Sequence, residues 1–248
     1  MLNYKKHLDI ILIFFYLSPI SCQSLKEESV LSIGKKELTM ATIGGSVCML
    51  ANSCREYWAE QLNLSITDYS KSGFGFGKEG FLIPDIVNQL CSDKSPKYDI
   101  YLFWCSTNDY GAKVTIGNYD SYTENDGYDN EALKTQCGGI NYCLQKILKK
   151  NPSATILLFT SLPSFNGNGY QLSSTNNDDV YLYKYVDAQI ELCRYWGIPY
   201  FEQFYSSPFN QYNYSEYYRE DNLHLNSKGY NKIKKAQTYF IANAYLSK

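Results

Sequence analysis

The run Tyr98-Asp-Ile-Tyr-Leu-Phe-Trp-Cys105 is apolar almost without interruption, and Ser106-Thr107-Asn108-Asp109 follows it at once. A strand that is apolar on both faces must be covered on both faces, which places it inside a parallel sheet with helices above and below. Ala154-Thr-Ile-Leu-Leu-Phe-Thr160 repeats the pattern. Glu37-Leu-Thr-Met-Ala-Thr-Ile-Gly44, Leu64-Ser-Ile-Thr-Asp-Tyr69 and Ile198-Pro-Tyr-Phe201 read as three shorter strands.

Helical stripes separate these strands. Gly44-Gly45-Ser46 leads into one with Leu50, Tyr57-Trp58 and Leu62 on its apolar positions, and Ile83 to Leu90 reads as another. Leu133, Cys137, Ile140, Leu144 and Ile147-Leu148 form a third, ended by Asn151-Pro152. Leu182, Val186, Ile190 and Cys193 form a fourth, closed by Gly197. The last, capped near Asn226 or Ser227, buries Ile233, Ala236, Phe240 and Ala244. Five strand-then-helix units with no internal repeat or linker predict a three-layer, doubly wound α/β fold of about five parallel strands, spanning 37–248. Three polar stretches remain: 111–130, 161–179 and the aromatic 204–220. The length of 111–130 suits a functional loop, and 111–130 and 204–220, both polar and aromatic, are expected to border the pocket.

In such a fold, segments that directly follow strands meet along one edge of the sheet. Four candidate segments stand there. Ser46 lies at a strand-to-helix turn, where a hydroxyl is exposed and the helix N-terminus favours negative charge, although a plain helix cap reads the same way. Ser70-Lys-Ser-Gly73-Phe-Gly-Phe-Gly77 is glycine-rich, which lets backbone N–H groups approach a ligand; it lacks the Walker ending of a phosphate loop. Asn108 offers an amide donor, and an Asn-Asp pair is equally common in ordinary turns. Asp221-Asn-Leu-His224 sets an acid three residues before one of the chain's two histidines. An imidazole so oriented on one nitrogen is free to act as a base on the other.

The other histidine, His7, lies in a segment with the pattern of an export signal: Lys5-Lys6, then the apolar Ile10–Leu17, too short to span a bilayer. It ends at Pro19-Ile-Ser-Cys22, which resembles a bacterial lipobox with Pro19 in an unusual place; Cys22 is the expected lipidation site. Residues 1–22 are thus read as a signal peptide and 23–36 as a tether, giving an exported, membrane-anchored lipoprotein, periplasmic or at the cell surface. Plain secretion with cleavage nearby is the first alternative, and an uncleaved anchor the second. The other seven cysteines have no metal-site spacing, and we read most of them as small buried apolar residues. The formal net charge of -2 carries no basic excess, so nucleic acid is not an expected partner. Many of the 25 tyrosines fall on strands and helix stripes, where packing accounts for them.

The order Ser, Gly, Asn, then Asp-x-x-His resembles the SGNH (GDSL-like) hydrolase superfamily from about Glu37 to Lys248. Gly44-Gly45-Ser46 is similar to its Gly-Asp-Ser block with Gly45 in place of Asp. Ser106-Thr107-Asn108-Asp109 is similar to Gly-x-Asn-Asp with Ser106 in place of Gly. Asp221-x-x-His224-x-Asn226 fits the last block. The resemblance implies a Ser46-His224-Asp221 triad, an oxyanion hole built from Ser46, Gly73 and Asn108, and ester hydrolysis with neither metal nor organic cofactor. An acetyl or other acyl ester on a carbohydrate is the expected substrate. A lipid or lysophospholipid esterase, a thioesterase, and a non-catalytic glycan-binding lipoprotein are the alternatives.

Overall fold

The structure is a computed structural model that describes residues 37–77, 79–80, 82–120, 131–165 and 180–246. The expected signal peptide, Cys22 and the tether lie outside the described residues, as do 121–130 and 166–179 of two of the expected loops.

Five parallel strands form one sheet: β1 (Leu38–Gly44), β2 (Leu64–Asp68), β3 (Ile100–Trp104), β4 (Thr155–Phe159) and β5 (Tyr200–Phe201). Their order is β2-β1-β3-β4-β5. The chain therefore reverses its direction of travel across the sheet between β1 and β3, and doubly wound sheets bind ligands beyond the strand ends at such a point.

Alternation along each strand divides the core into two layers. Ile100, Leu102 and Trp104 of β3 join Leu38 and Met40 of β1 and Leu157 and Phe159 of β4 on one face. Tyr101, Phe103 and Cys105 join Ala41, Ile43, Ile156 and Leu158 on the other. The first face is covered by α2 (Asn52–Leu62) and α7 (Ser227–Leu246), through Trp58, Leu62, Ile233 and Ile241. The second is covered by α3 (Ile83–Leu90), α5 (Gln136–Lys150) and α6 (Leu182–Trp196), through Ile83, Val87, Ile140, Leu144 and Leu192. Gly197 ends α6 at φ 64, a left-handed conformation that glycine adopts without a Cβ penalty.

Two details depart from the expected layout. The stripe after Ser46 is not one helix but two, α1 (Ser46–Met49) and then α2. The Arg55 guanidinium reaches back from α2 and donates to the carbonyls of Cys48 at 2.5 Å and Met49 at 3.0 Å, satisfying acceptors that a continuous helix would have paired. Leu133 belongs to a separate 3-10 turn (Glu131–Lys134) ahead of α5, not to the helix itself.

All seven described cysteines are unpaired, and only Cys91 is more than slightly exposed. Burial pushes the thiols of Cys48, Cys54, Cys137 and Cys193 up to about 12, so they stay protonated and act as apolar packing groups. Among the described residues no helix is long and apolar enough to cross a membrane.

Candidate active site

Ser46 is the first residue of α1, immediately after β1. The two glycines before it are required by crowding. A Cβ on Gly44 would lie 2.6 Å from the Trp104 carbonyl oxygen, and one on Gly45 would lie 2.6 Å from Asn108 Nδ2. The chain can therefore turn tightly against β3 and present the Ser46 hydroxyl at the sheet edge.

Asp221 and His224 come from a different part of the chain, a hairpin closed by the antiparallel bridge Tyr218–Leu225. Within it, Asp221 Oδ1 accepts from the backbone N–H groups of Leu223 and His224, both at 2.9 Å, and Asn222 takes a left-handed φ of 54. This local turn leaves Asp221 Oδ2 facing the imidazole. His224 Nδ1 lies 2.7 Å from that oxygen, and His224 Nε2 lies 2.7 Å from Ser46 Oγ. Three side chains separated by up to 178 residues thus form one hydrogen-bonded line.

The line is graded in exposure. Ser46 is 8% exposed, while the side chains of His224 and Asp221 are 19% and 45% exposed. Burial pushes the Asp221 carboxyl up, but the N–H groups of His224 and Leu223 and the His224 ring outweigh it, so the group is held below the ordinary carboxylate value. An ionised carboxylate on Nδ1 fixes a proton there and leaves Nε2 as the acceptor facing the serine hydroxyl.

The remaining two segments close against the same turn. Asn108 begins the short helix α4 (Asn108–Gly111), and its Nδ2 donates to the Phe74 carbonyl at 2.7 Å. Gly73 has φ 80, and the loop that holds it is tied to the serine turn by the Lys71 N–H donating to the Gly44 carbonyl at 3.0 Å. A Cβ on Gly45 would also lie 2.9 Å from the Phe74 carbonyl oxygen, so this loop, Asn108 and the serine turn pack as one unit. All five expected site residues of the folded domain, Ser46, Gly73, Asn108, Asp221 and His224, therefore lie in segments that converge at the β1–β3 reversal. Among the described residues, no group of three or more His, Cys, Asp or Glu side chains could hold a metal ion.

No family model and no curated protein matches the sequence. Solved structures do. A possible lipase from Chitinophaga pinensis is 21% identical with a TM-score of 0.63, covering 84% of this chain and 98% of its own. A GDSL-like lipase from Bacteroides thetaiotaomicron is 15% identical with a TM-score of 0.54, covering 86% of this chain and 90% of its own. This chain has the GDSL-like lipase fold.

Within the GDSL-like fold, the two departures from the usual blocks meet in space. The Ser106 hydroxyl points at the Phe74 carbonyl, 3.4 Å away, and accepts from the Asn108 N–H at 3.3 Å. It fills the space beside Gly45.

Several supporting residues were not foreseen from the sequence. Arg55, besides capping α1, pairs with Asp68 at 3.1 Å at the end of β2, bracing the serine turn from behind. Ser161 donates to the Ser106 carbonyl at 2.9 Å and is itself held by Gln189 of α6, fixing the segment Ser106–Asp109. Their signal lay only in polar residues at positions where the periodic pattern called for burial. The described parts of the long loops also pack against neighbouring elements. The stretch before Asp120 hydrogen-bonds to α5 and α6, as in the Tyr185 hydroxyl donating to the Val114 carbonyl at 2.6 Å. In 204–220, Phe204, Phe209 and Tyr218 are buried, and Tyr214 stacks on Phe165 at 4.6 Å, so many of these aromatics support the hairpin.

Proposed function

We propose that the protein is a serine ester hydrolase that removes acyl groups, acetyl foremost, from a carbohydrate. The observation that carries this reading is the His224 ring, bonded on one nitrogen to Asp221 and on the other to Ser46, each at 2.7 Å. In this mechanism Nε2 of His224 takes the serine proton as Ser46 Oγ attacks the ester carbonyl carbon. The oxyanion of the tetrahedral intermediate is met by the backbone N–H groups of Ser46 and Gly73 and by the Asn108 amide, whose second N–H bond is not needed for Phe74. Collapse expels the alcohol, which receives its proton from His224. A water molecule, deprotonated by the same ring, then releases the acid and restores Ser46. Ester and water become alcohol and carboxylic acid, and the sequence of steps calls for no metal or organic cofactor.

The carbohydrate part rests on the export signal read at residues 1–22 and the expected anchoring through Cys22, which would set the domain among surface or periplasmic glycans. Nucleic acid has no place in this reading, and the membrane enters only through the lipid anchor. A lipid ester is the second reading, favoured by the similarity to a possible lipase and a GDSL-like lipase. Kinetics on acetylated glycans and on simple esters of graded acyl length separate the two. A preference for acetyl groups on glycans supports the first, and rates rising with chain length support the second. A serine-reactive phosphonate labelling Ser46 supports either; neither labelling nor hydrolysis leaves a glycan-binding protein without activity.

A further inference from the structure

Asp109 has no part in the mechanism above, yet it is 2% exposed, beside a loop made of glycines and aromatics. Its carboxylate accepts two consecutive backbone N–H groups: Phe76 on Oδ2 at 2.9 Å and Gly77 on Oδ1 at 3.0 Å. A buried carboxylate is tolerated where such donors replace its water, and charge-assisted bonds of this kind are stronger than neutral ones. Gly75 passes so close that a Cβ there would lie 2.4 Å from Asp109 Oδ1. On the other side the loop is pressed by α5, where a Cβ on Gly139 would lie 2.2 Å from the Phe76 carbonyl oxygen.

We propose that Asp109 is a positioning residue for oxyanion binding, its carboxylate locking the loop Gly73–Gly77 to Asn108. The inference rests on the esterase reading of the site. Asn108 and Asp109 are neighbours at the start of α4, and they grip the same loop at alternate points: Asn108 at the Phe74 carbonyl, Asp109 at the Phe76 and Gly77 N–H groups. Ser106 adds a third contact at Phe74. Three glycines give this loop many accessible conformations, and glycine is the residue that loses most freedom on being fixed. The clamp selects one of them, so that the backbone at Gly73 and the amide of Asn108 are set together before substrate arrives. Among the described hydrogen bonds, those of the Asp109 carboxylate go to this loop and not to Ser46 or His224.

The test is Asp109→Asn, which keeps the size of the side chain but turns one acceptor oxygen into an NH2 group facing an N–H donor. On an activated acetyl ester, kcat should fall about ten- to a hundred-fold with KM within about two-fold, as expected when transition-state donors are displaced by a fraction of an ångström. The acid limb of the pH profile should stay where it is in wild type, since Asp221, His224 and Ser46 are untouched. In an Asn108→Ala background the same substitution should cost clearly less, because the two residues act through one loop. Gly75→Ala, which pushes the carboxylate from the opposite side, should reproduce the loss and serves where Asp109→Asn does not fold. A wild-type kcat in the folded variant, or the same fold-loss with and without Asn108, overturns the inference while leaving the esterase intact. A wild-type protein that hydrolyses no ester overturns the esterase reading first.

Discussion

Ser106 fills the space that a side chain at position 45 would need: a Cβ on Gly45 would stand 2.8 Å from Ser106 Oγ. The two departures from the GDSL-like blocks therefore stand side by side, and an exchange in which a side chain is lost on the serine turn and gained on the facing loop would couple them energetically. Gly45→Ala should cost about 1–3 kcal/mol in stability, the usual range for an overpacked site. Ser106→Gly should recover part of that cost, although Asn108 Nδ2 remains at 2.6 Å from the new methyl. Thermal or urea unfolding of the two single variants and the double variant measures the coupling. Strict additivity would mean that the exchange is coincidental.

Asn108→Ala removes the only side-chain donor assigned to the oxyanion. We expect kcat to fall about a hundred- to a thousand-fold with little change in KM, since the bond strengthens as charge develops on oxygen. Steady-state kinetics on an activated ester are sufficient. A variant with wild-type kcat would remove Asn108 from the site.

Arg55 joins two jobs, the ion pair with Asp68 and the capping of α1 through the Cys48 and Met49 carbonyls. Replacing it with Met keeps the aliphatic stem but leaves a carboxylate unpaired and two carbonyls short of donors. A loss of about 1–3 kcal/mol is expected, mostly from the carbonyls left without donors, since Asp68 is exposed and its ion pair contributes little. A Tm within a degree or two of wild type would mean that water replaces the guanidinium without cost.

Much of this was legible in the sequence because it depends on local pattern. Alternation along β3 and β4 fixes which residues face each layer, and the apolar run from Tyr98 to Cys105 announces a central strand. Ser46, Asn108 and His224 were legible because each follows a strand or precedes the last helix, and those positions are forced to one edge. The rest depends on contacts between distant residues. Nothing in the sequence near Cys48 says that α1 must stop there; the guanidinium that ends it belongs to Arg55 of the next helix. Nothing near Asp109 distinguishes a turn aspartate from a buried clamp until Phe76 and Gly77 are brought beside it. The aromatic stretch 204–220 reads as a binding surface because it is polar and aperiodic, yet Tyr218 is buried with its hydroxyl on the Pro163 carbonyl at 2.6 Å.

Cys22 lies in the segment we propose to be an export signal. Growth with a clickable fatty acid should label the wild-type protein in the membrane fraction, and Cys22→Ala should abolish that label. Unlabelled wild-type protein in the soluble secreted fraction would point instead to ordinary signal cleavage.

The pH dependence follows from which partner in the Asp221–His224 pair carries charge. Imidazole is the side chain that changes charge between about pH 5 and 8, and His224 must be neutral at Nε2 to take the Ser46 proton. Asp221 is held below the ordinary carboxylate value, so it stays ionised over that whole interval. A depressed carboxyl contributes stability above its unfolded pKa and loses it only as pH falls through the folded value, which puts any unfolding due to this group well below the catalytic limb. The acid side of kcat/KM over that interval should therefore carry no step from Asp221. Asp221→Asn removes both the charge and the fixed proton arrangement on Nδ1, and should lower kcat by about three to four orders of magnitude while leaving Ser46 in place. The measurement is kcat/KM against pH on a non-ionising ester for both proteins. A wild-type profile flat from about pH 5 to 8 would mean that His224 is not the base, and the Ser46–His224–Asp221 line would then be a structural hydrogen-bond chain only.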